Sequence, residues 1–309
     1  MVKSKQKPSR GKPKKRSPLG RVISLMVLLA ASYIVLSAGI CWVLIRPNSH
    51  GLLLEPRTRG VSVGEVEFQT ADGVTLRGWH SEARDKPIIL LAHGRDSHRG
   101  QWRDLYVSLF LKHGLGFLCF DFRGSGLSDG ATSTGGIKET LDLQAALDWL
   151  IETKGYKKDR IALVASDMAA VAAMQIPERI DELGCVIFVA PSETPKRRLQ
   201  RTLRGYHLPL RPTASLALFG AHLITKSSLD FPALADNFGS LHFAPIHFLV
   251  GEKDSVAPPE LVTGWLQLVP NSEKSIEILP EMDHDDMMDP ENRELTPKII
   301  SLLKKHLDY

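Results

Sequence analysis

Two kinds of apolar pattern divide this chain. The first is one uninterrupted run, VISLMVLLAASYIVLSAGICWVLI, which fills positions 22–45 without a charge between Arg21 and Arg46. It is long enough to cross the hydrocarbon core of a bilayer with some tilt, and a core helix of this length would normally show a polar face. It also exceeds the apolar region of a cleaved signal peptide, and no clear small-x-small cleavage site follows. The run therefore predicts an uncleaved membrane anchor.

The second pattern consists of short blocks beyond residue 62. Alternating residues in Gly64–Thr70 and Val74–His80 predict a hairpin that turns at Asp72-Gly73. Six apolar blocks of strand length follow: Pro87–Ala92, Gly116–Phe120, Ile161–Ala165, Val186–Ala190, Ile246–Val250 and Ser275–Leu279. Because helix-length segments separate most of them, they indicate a parallel sheet covered on both faces. The predicted fold class is α/β, a mostly parallel sheet with an antiparallel N-terminal hairpin.

Two segments show helical spacing of apolar residues. One is Lys138–Leu150, and the other begins where Thr296 is expected to cap a helix that opens with Pro297. The predicted organisation is a basic arm over residues 1–21, the anchor over 22–45, a linker over 46–61 and one domain over 62–309. With 43% hydrophobic residues, the chain can build one sizeable core.

Charge is distributed unevenly along the chain. The net charge is +4, but nine lysines and arginines and no acidic residue precede position 22, which leaves about −5 for the remainder. The basicity thus belongs to the arm, and the body has no nucleic-acid-binding character. Positive charge before an anchor favours a cytoplasmic N-terminus and a C-terminal domain across the membrane.

The three cysteines predict neither a disulfide framework nor a metal site. Cys41 falls in the anchor, and Cys119 and Cys185 fall in apolar strands, where buried free thiols are expected. The pattern suggests no metal or organic cofactor.

Polar residues follow several of the predicted strands at their carboxyl ends, where ligands bind in open α/β sheets. The stretches are LLAHG at Leu90–Gly94, FDFRGSGLSDG at Phe120–Gly130, ALVASDMAA around Asp167, LVGEKDSVAPPE at Leu249–Glu260 and EMDHDD at Glu281–Asp286. In this order and spacing they resemble the α/β-hydrolase superfamily, particularly its lysophospholipase-like and serine-aminopeptidase-like branch, which includes membrane-anchored members. The resemblance covers residues 62–309 and implies the α/β-hydrolase fold with a short cap over about 192–242.

The resemblance also implies a catalytic triad in the order nucleophile, acid, histidine. The matching positions are Asp167, Asp254 and His284, and the oxyanion-hole positions are the backbone N–H groups of Arg95 and Met168. His284 would transfer protons and Asp254 would orient its ring. Without the resemblance, His284 would be interpreted as a surface histidine among neighbouring acids.

Asp167 departs from the family, which usually has a serine nucleophile. A shift to Ser166 would put Val164 and Met168 at the flanking positions that need small residues, whereas Asp167 is flanked by Ala165 and Ala169. A carboxylate attacking an ester carbonyl would form an unfavourable mixed anhydride, but attack on an epoxide or haloalkane carbon would form an alkyl-enzyme ester.

Two absences weaken the aspartate chemistries. Dehalogenases of this superfamily commonly carry a halide-binding tryptophan directly after the nucleophile, where this chain has Met168. Its epoxide hydrolases use paired cap tyrosines, and the cap segment contains only Tyr206. A catalytically impaired homologue that binds a ligand or partner therefore stays open as an alternative.

The cap segment is basic and amphipathic. It carries six cations between positions 196 and 211, interleaved with leucines: Lys196, Arg197, Arg198, Arg201, Arg204 and Arg211. Such a piece is typical of a surface that lies on anionic lipid or steers an acidic substrate, or simply of a solvated lid. The expected function is hydrolysis of a carboxylic ester or related bond in a small-molecule or lipid-like substrate, on the extracytoplasmic side of a membrane.

Overall fold

A computed structural model describes residues 17–47, 61–82, 86–205, 213–229, 235–289 and 292–308. The predicted arm up to residue 16, most of the linker (48–60) and two parts of the cap (206–212 and 230–234) lie outside these ranges, and so does Tyr206.

The described residues form one eight-stranded sheet with the strand order β1-β2-β4-β3-β5-β6-β7-β8. Strand β2 is antiparallel to both β1 and β4, and all the other pairs are parallel. The strands are β1 Gly64–Gln69, β2 Thr75–Ser81, β3 Ile88–Ala92, β4 Gly116–Phe120, β5 Ile161–Asp167, β6 Cys185–Pro191, β7 Ile246–Gly251 and β8 Lys274–Leu279. This is the α/β-hydrolase arrangement predicted from the sequence.

Helices cover both faces of the sheet, and the core is divided accordingly. In β3, Leu90 packs into one hydrophobic cluster while Ile89 and Leu91 pack into the other, as alternation along a buried strand requires. The helices are α1 Pro18–Ile45, α2 Arg103–His113, α3 Glu139–Asp148, α4 Met168–Met174, α5 Pro177–Ile180, α6 Pro195–Gly205, α7 Thr213–Thr225, α8 Ala235–Phe238, α9 Pro259–Leu268, α10 His284–Met288 and α11 Leu295–His306.

Both predicted helices form, with one correction to a boundary. The first corresponds to α3, which continues into a π-helical turn at Trp149–Thr153. The last helix begins at Leu295, so Thr296 is not its N-cap. Leu295 is buried against the core, which extends the helix backwards, and Pro297 still fits because first-turn N–H groups have no partner within the helix.

Helix α1 contains the apolar run and is long and apolar enough to be a candidate membrane span, with a mean hydropathy of 2.3. Its last turns also contact the body. Ser37, Cys41 and Ile45 are buried at a spacing of four residues, which places them on one helical face. The backbone N–H of Ser133 donates to the Ile45 carbonyl over 2.7 Å, so the end of α1 is hydrogen-bonded to the domain.

Candidate active site

The chain turns sharply between β5 and α4, and Asp167 is the residue at the turn. Its φ of 44° and ψ of −111° are strained for a residue that is not glycine. Ala165 and Ala169 on either side are fully buried, so small side chains occupy the positions where strand and helix approach each other. The corner centres on Asp167, as the spacing predicts.

Ser166 faces away from this corner. Its hydroxyl lies 3.2 Å from Nε2 of Gln101 and 3.4 Å from the Ala92 carbonyl, and the whole residue is buried. Ser166 therefore belongs to the packing beneath the loop after β3.

The structure brings Asp167, His284 and Asp254 together although they follow three different strands. Nε2 of His284 lies 3.4 Å from Oδ1 of Asp167, and its Nδ1 lies 2.9 Å from Oδ2 of Asp254. The imidazole thus lies between two carboxylates. His284 is only 7% exposed, which excludes the surface-histidine interpretation.

Local hydrogen bonds fix the acid–histidine pair. Asp254 Oδ1 accepts from the backbone N–H groups of Val256 and Ala257, at 2.7 and 2.9 Å. Asp283 and Asp286, the acids expected to surround His284, instead form a reciprocal capping box at the start of α10. This cap sets the position of His284 as the first residue of the helix.

The loop after β3 supplies a donor to Asp167. The backbone N–H of Arg95 donates to Oδ2 over 2.9 Å. A Cβ on Gly94 would come within 3.0 Å of the Asp167 Cβ and within 2.3 Å of a Met288 methyl, so a side chain at this position would crowd the corner and displace Met288. Met168 opens α4, and its N–H therefore has no partner within the helix.

Two buried side chains brace the same loop. Gln101 accepts from the Gly94 N–H over 2.8 Å, and Nε2 of His93 accepts from the Phe122 N–H over 3.0 Å. Gln101 was not singled out from the sequence, because nothing in its surroundings marks a buried glutamine 66 residues from the corner that it supports.

Arg198 is the second residue that sequence reasoning missed as part of the site. It stands on α6, and its Nη1 lies 3.5 Å from Oδ1 of Asp167. In the sequence it is one of six basic cap residues, with no feature to separate it from its neighbours. Arg95 has a further contact, since its Nη2 donates to the Val43 carbonyl of α1 over 2.6 Å.

These contacts set opposite proton affinities at the two central groups. Burial raises the pKa of Asp167, but the Arg198 charge, His284 and the Arg95 N–H outweigh it and hold that pKa well below its usual range. Burial lowers the pKa of His284, but its hydrogen bonds to Asp167 and Asp254 prevail and raise it to about 10. At neutral pH the site therefore holds an aspartate and an imidazolium.

A cavity of about 660 Å³ lies beside this site, between α1 and α6. Its walls are apolar residues of α1 and α6, among them Val35, Ile40, Leu199 and Leu203, and the guanidinium-bearing residues Arg95 and Arg198 also line it. Within the described ranges, no group of three or more histidine, cysteine or acidic side chains is placed to hold a metal ion.

Known proteins resemble this chain over most of its length. Protein bem46 of Schizosaccharomyces pombe is 21% identical over 75% of this chain and 74% of its own. The uncharacterized membrane protein YNL320W of Saccharomyces cerevisiae is 22% identical over 75% of this chain and 76% of its own. Among solved structures, the Pyrococcus furiosus esterase Pf2001 superposes with a TM-score of 0.70 at 22% identity, covering 85% of this chain and 98% of that one.

The family model of the alpha/beta hydrolases matches residues 89–295, from β3 to the start of α11. That range contains Asp167, Asp254, His284 and both oxyanion-hole positions. On this match and on its sheet topology, the chain is a member of the alpha/beta hydrolase family.

Proposed function

We propose that this chain is a membrane-anchored hydrolase in which Asp167 attacks an electrophilic saturated carbon, in particular that of an epoxide. The observation that carries the proposal is the placement of the Asp167 carboxylate. Oδ2 is hydrogen-bonded to the Arg95 N–H, while Oδ1 faces both the charged His284 and Arg198 at the cavity. We assign Oδ2 as the future carbonyl oxygen and Oδ1, beside an arginine that lines the cavity, as the attacking atom.

In the first step, Oδ1 of Asp167 forms a bond to an epoxide carbon as the carbon–oxygen bond of the ring breaks. The released oxygen takes the proton from Nε2 of His284, which leaves a hydroxyalkyl ester on Asp167 and a neutral imidazole. Arg198 stabilises the negative charge on the departing oxygen. His284 and Arg198 together replace the paired cap tyrosines that the family's epoxide hydrolases use.

In the second step, the enzyme's own ester is hydrolysed. Esterification removes the charge of Asp167, so the pKa of His284 falls and the ring can accept a proton from water. Hydroxide adds to the ester carbon while the charge that develops on Oδ2 is stabilised by the N–H groups of Arg95 and Met168. Collapse breaks the bond to the substrate oxygen, which takes the proton from His284 and leaves as a diol. The Asp167 carboxyl group then returns its proton to the ring, which restores the aspartate and the imidazolium, so that the net reaction adds one water.

A carboxylic ester, the substrate class expected first from the sequence, fits this site less well. Its carbonyl oxygen needs the donor at Arg95 that Oδ2 already uses, and carboxylate attack would create a mixed anhydride. A haloalkane releases a halide ion, which needs no proton. The protonated His284 therefore gives the attack on a haloalkane no advantage. The imidazolium therefore favours the epoxide among these three classes.

One observation favours a second candidate, a catalytically impaired homologue that binds a ligand. The carboxylates of Asp167 and Asp254 balance the charges of His284 and Arg198 in a closed ionic cluster, which would be stable without turnover. In that case the cavity would bind an apolar ligand and the cluster would only shape its end.

For the arrangement in the membrane, we propose that residues 1–21 are cytoplasmic, that 22–45 span the bilayer and that the domain over 62–309, with its cap at about 192–242, lies on the other side. The support is the hydropathy of α1, the charge of the arm and the likeness to a protein named as a membrane protein.

The test uses the full chain in detergent, because α1 contacts the domain. Wild type, Asp167→Asn and Asp167→Ser are assayed on panels of epoxides, haloalkanes and esters. Epoxide opening that is lost in Asp167→Asn supports the proposal. If the wild type is inactive and the Asp167→Ser variant gains esterase activity, the proposal is wrong and the chain is a catalytically impaired homologue.

A further inference from the structure

Helix α7 presents two apolar faces, and only one of them is buried against other residues of the described ranges. Ala217 and Ala221 are fully buried and lie in the same cluster as Cys41 of α1. A Cβ on Gly220 would stand 3.3 Å from the Cys41 sulfur, so small residues let the two helices approach closely. The α1–α7 contact therefore fixes α7 beside the candidate membrane span.

The opposite face of α7 consists of large apolar side chains in solvent. Leu216, Phe219, Leu223 and Ile224 are all exposed, Phe219 and Leu223 by 60% each. No acidic or basic residue interrupts the sequence TASLALFGAHLIT, apart from His222. A contiguous exposed apolar patch of this kind is typical of a surface that is covered by a membrane or a partner in the functional protein.

The position at which α7 packs along α1 indicates what covers this patch. About 20 helical residues cross the hydrocarbon core, so a span that begins at Val22 reaches the far boundary near Cys41. Cys41 is the residue against which α7 packs. The outer face of α7 thus lies level with the outer leaflet, beside the lipid-facing side of α1.

Residues of α1 at this same level line the cavity beside the active site. Val35 and Val43 line it and are nevertheless 72% and 69% exposed, so the cavity is open on the α1 side. Its other end carries Arg198, which contacts Asp167. Exposed Arg197 and Arg204 on α6 add positive charge at the position expected for lipid headgroups.

We propose that the outer face of α7 is embedded in the outer leaflet and that the cavity between α1 and α6 admits its substrate sideways from that leaflet. The substrate class is then an amphiphile with a long apolar chain, which lies along α1 and α6 while its polar, reactive end meets Asp167. This inference rests on the proposed anchoring and not on the chemistry proposed for Asp167.

The embedding is tested with the full chain in phosphatidylcholine vesicles. A fluorophore sensitive to its surroundings is attached at Leu223→Cys, and, as a matched control, at Leu111→Cys on α2, which is also an exposed leucine. Nitroxide-bearing lipid is expected to quench the label at position 223 severalfold more than the label at 111. Equal quenching at the two positions would overturn the embedding.

Entry from the leaflet is tested with a photoactivatable single-chain fatty alcohol dissolved in the same vesicles. Crosslinks are expected in the α6 peptide that contains Leu199 and Leu203. Gly39 lines the cavity, and a Cβ added there would meet nothing within 4 Å, so Gly39→Phe should place a ring at the cavity without crowding at its Cβ.

The matched control is Gly264→Phe on α9, where an added Cβ would also meet nothing within 4 Å. Labelling of α6 should fall severalfold in Gly39→Phe and stay unchanged in Gly264→Phe. Absent labelling in the wild type, or equal labelling in all three proteins, would overturn the lateral entry. Flotation of each protein with the vesicles reports the anchoring separately, and none of these readouts requires turnover.

Discussion

Two aspartates flank the same imidazole, and their surroundings differ. Asp254, after β7, is held by the N–H groups of Val256 and Ala257 and lies 2.9 Å from His284. Asp167, after β5, stands on a strained corner, 3.4 Å from the same ring, and meets Arg198 of the cap at the cavity. The first arrangement fixes a carboxylate within its own loop, whereas the second places a buried carboxylate beside an arginine that lines the cavity. We infer that Asp254 orients His284 and that Asp167 reacts.

The largest difference between the two aspartates is expected from Asp167→Asn. An amide cannot form the alkyl-enzyme ester, so epoxide opening should fall by at least ~10³-fold with no intermediate formed. Mass spectrometry of the intact protein, mixed with substrate and quenched with acid, measures the intermediate. An Asp167→Asn variant that retains wild-type turnover would remove Asp167 from the chemistry.

Asp254→Asn should act on the other step. It would disturb the tautomer and orientation of His284 and slow hydrolysis of the intermediate by about 10⁴-fold, as loss of the orienting acid does in serine-protease triads. The same quenched samples should then show an adduct on the enzyme that accumulates. Equal behaviour of the two asparagine variants, with no adduct in either, would contradict the division of roles.

The dependence of stability on pH reports whether Asp167 and His284 form a charged pair. Its pKa is raised from 6.5 to about 10, so the stability that it contributes is complete below pH 6.5 and is lost as pH rises through about 10. The pKa of Asp167 is lowered, so its contribution is present above about 3.8 and is lost in acid.

The ionic pair should therefore contribute most between about pH 4 and 6.5, by roughly 1–3 kcal/mol after allowing for relaxation. Thermal unfolding of the wild type and of Asp167→Asn in detergent gives two curves of Tm against pH. Their difference should favour the wild type most in that window and decline towards pH 10. A difference that does not change with pH would mean that no charged pair forms.

Arg198 is expected to have a smaller effect. Arg198→Ala removes a cation 3.5 Å from Oδ1, and because the arginine is about one-third exposed, solvent already weakens its influence. Ring opening should slow by about tenfold, while hydrolysis of the intermediate stays nearly unchanged. Rapid-mixing kinetics separate the two steps, and Arg198→Lys, which keeps the charge, should recover part of the loss.

The smallest effect is expected at the neighbour of Asp167. Ser166→Ala removes a buried hydroxyl that contacts Gln101 and lies outside the reacting group, so stability should fall by about 1 kcal/mol and turnover by less than about threefold. A loss of turnover as large as that of Asp167→Asn would make Ser166 the nucleophile.

Most of the sheet and the corner at Asp167 could be predicted from local patterns in the sequence, whereas Asp254 and His284 were expected beside Asp167 only from the resemblance to the α/β-hydrolase superfamily. Apolar blocks mark the buried strands, and Ala165 and Ala169 locate the corner at Asp167. Arg198 could not be predicted as a partner of Asp167, because the contact depends on how α6 folds back over the sheet. The packing of α7 against α1 was equally hidden, since a run apolar enough to span a bilayer shows no preference for a protein partner.

The central claim, that Asp167 becomes covalently bound to its substrate, is tested most directly by isotope labelling. The full chain, in excess over an epoxide found active, completes one turnover in H₂¹⁸O, and both the peptide that contains Asp167 and the product are analysed by mass spectrometry. The mechanism predicts ¹⁸O in the Asp167 carboxylate and none in the diol, because water attacks the ester carbon of the enzyme. A labelled diol with an unlabelled Asp167 would show direct attack by water and contradict the account.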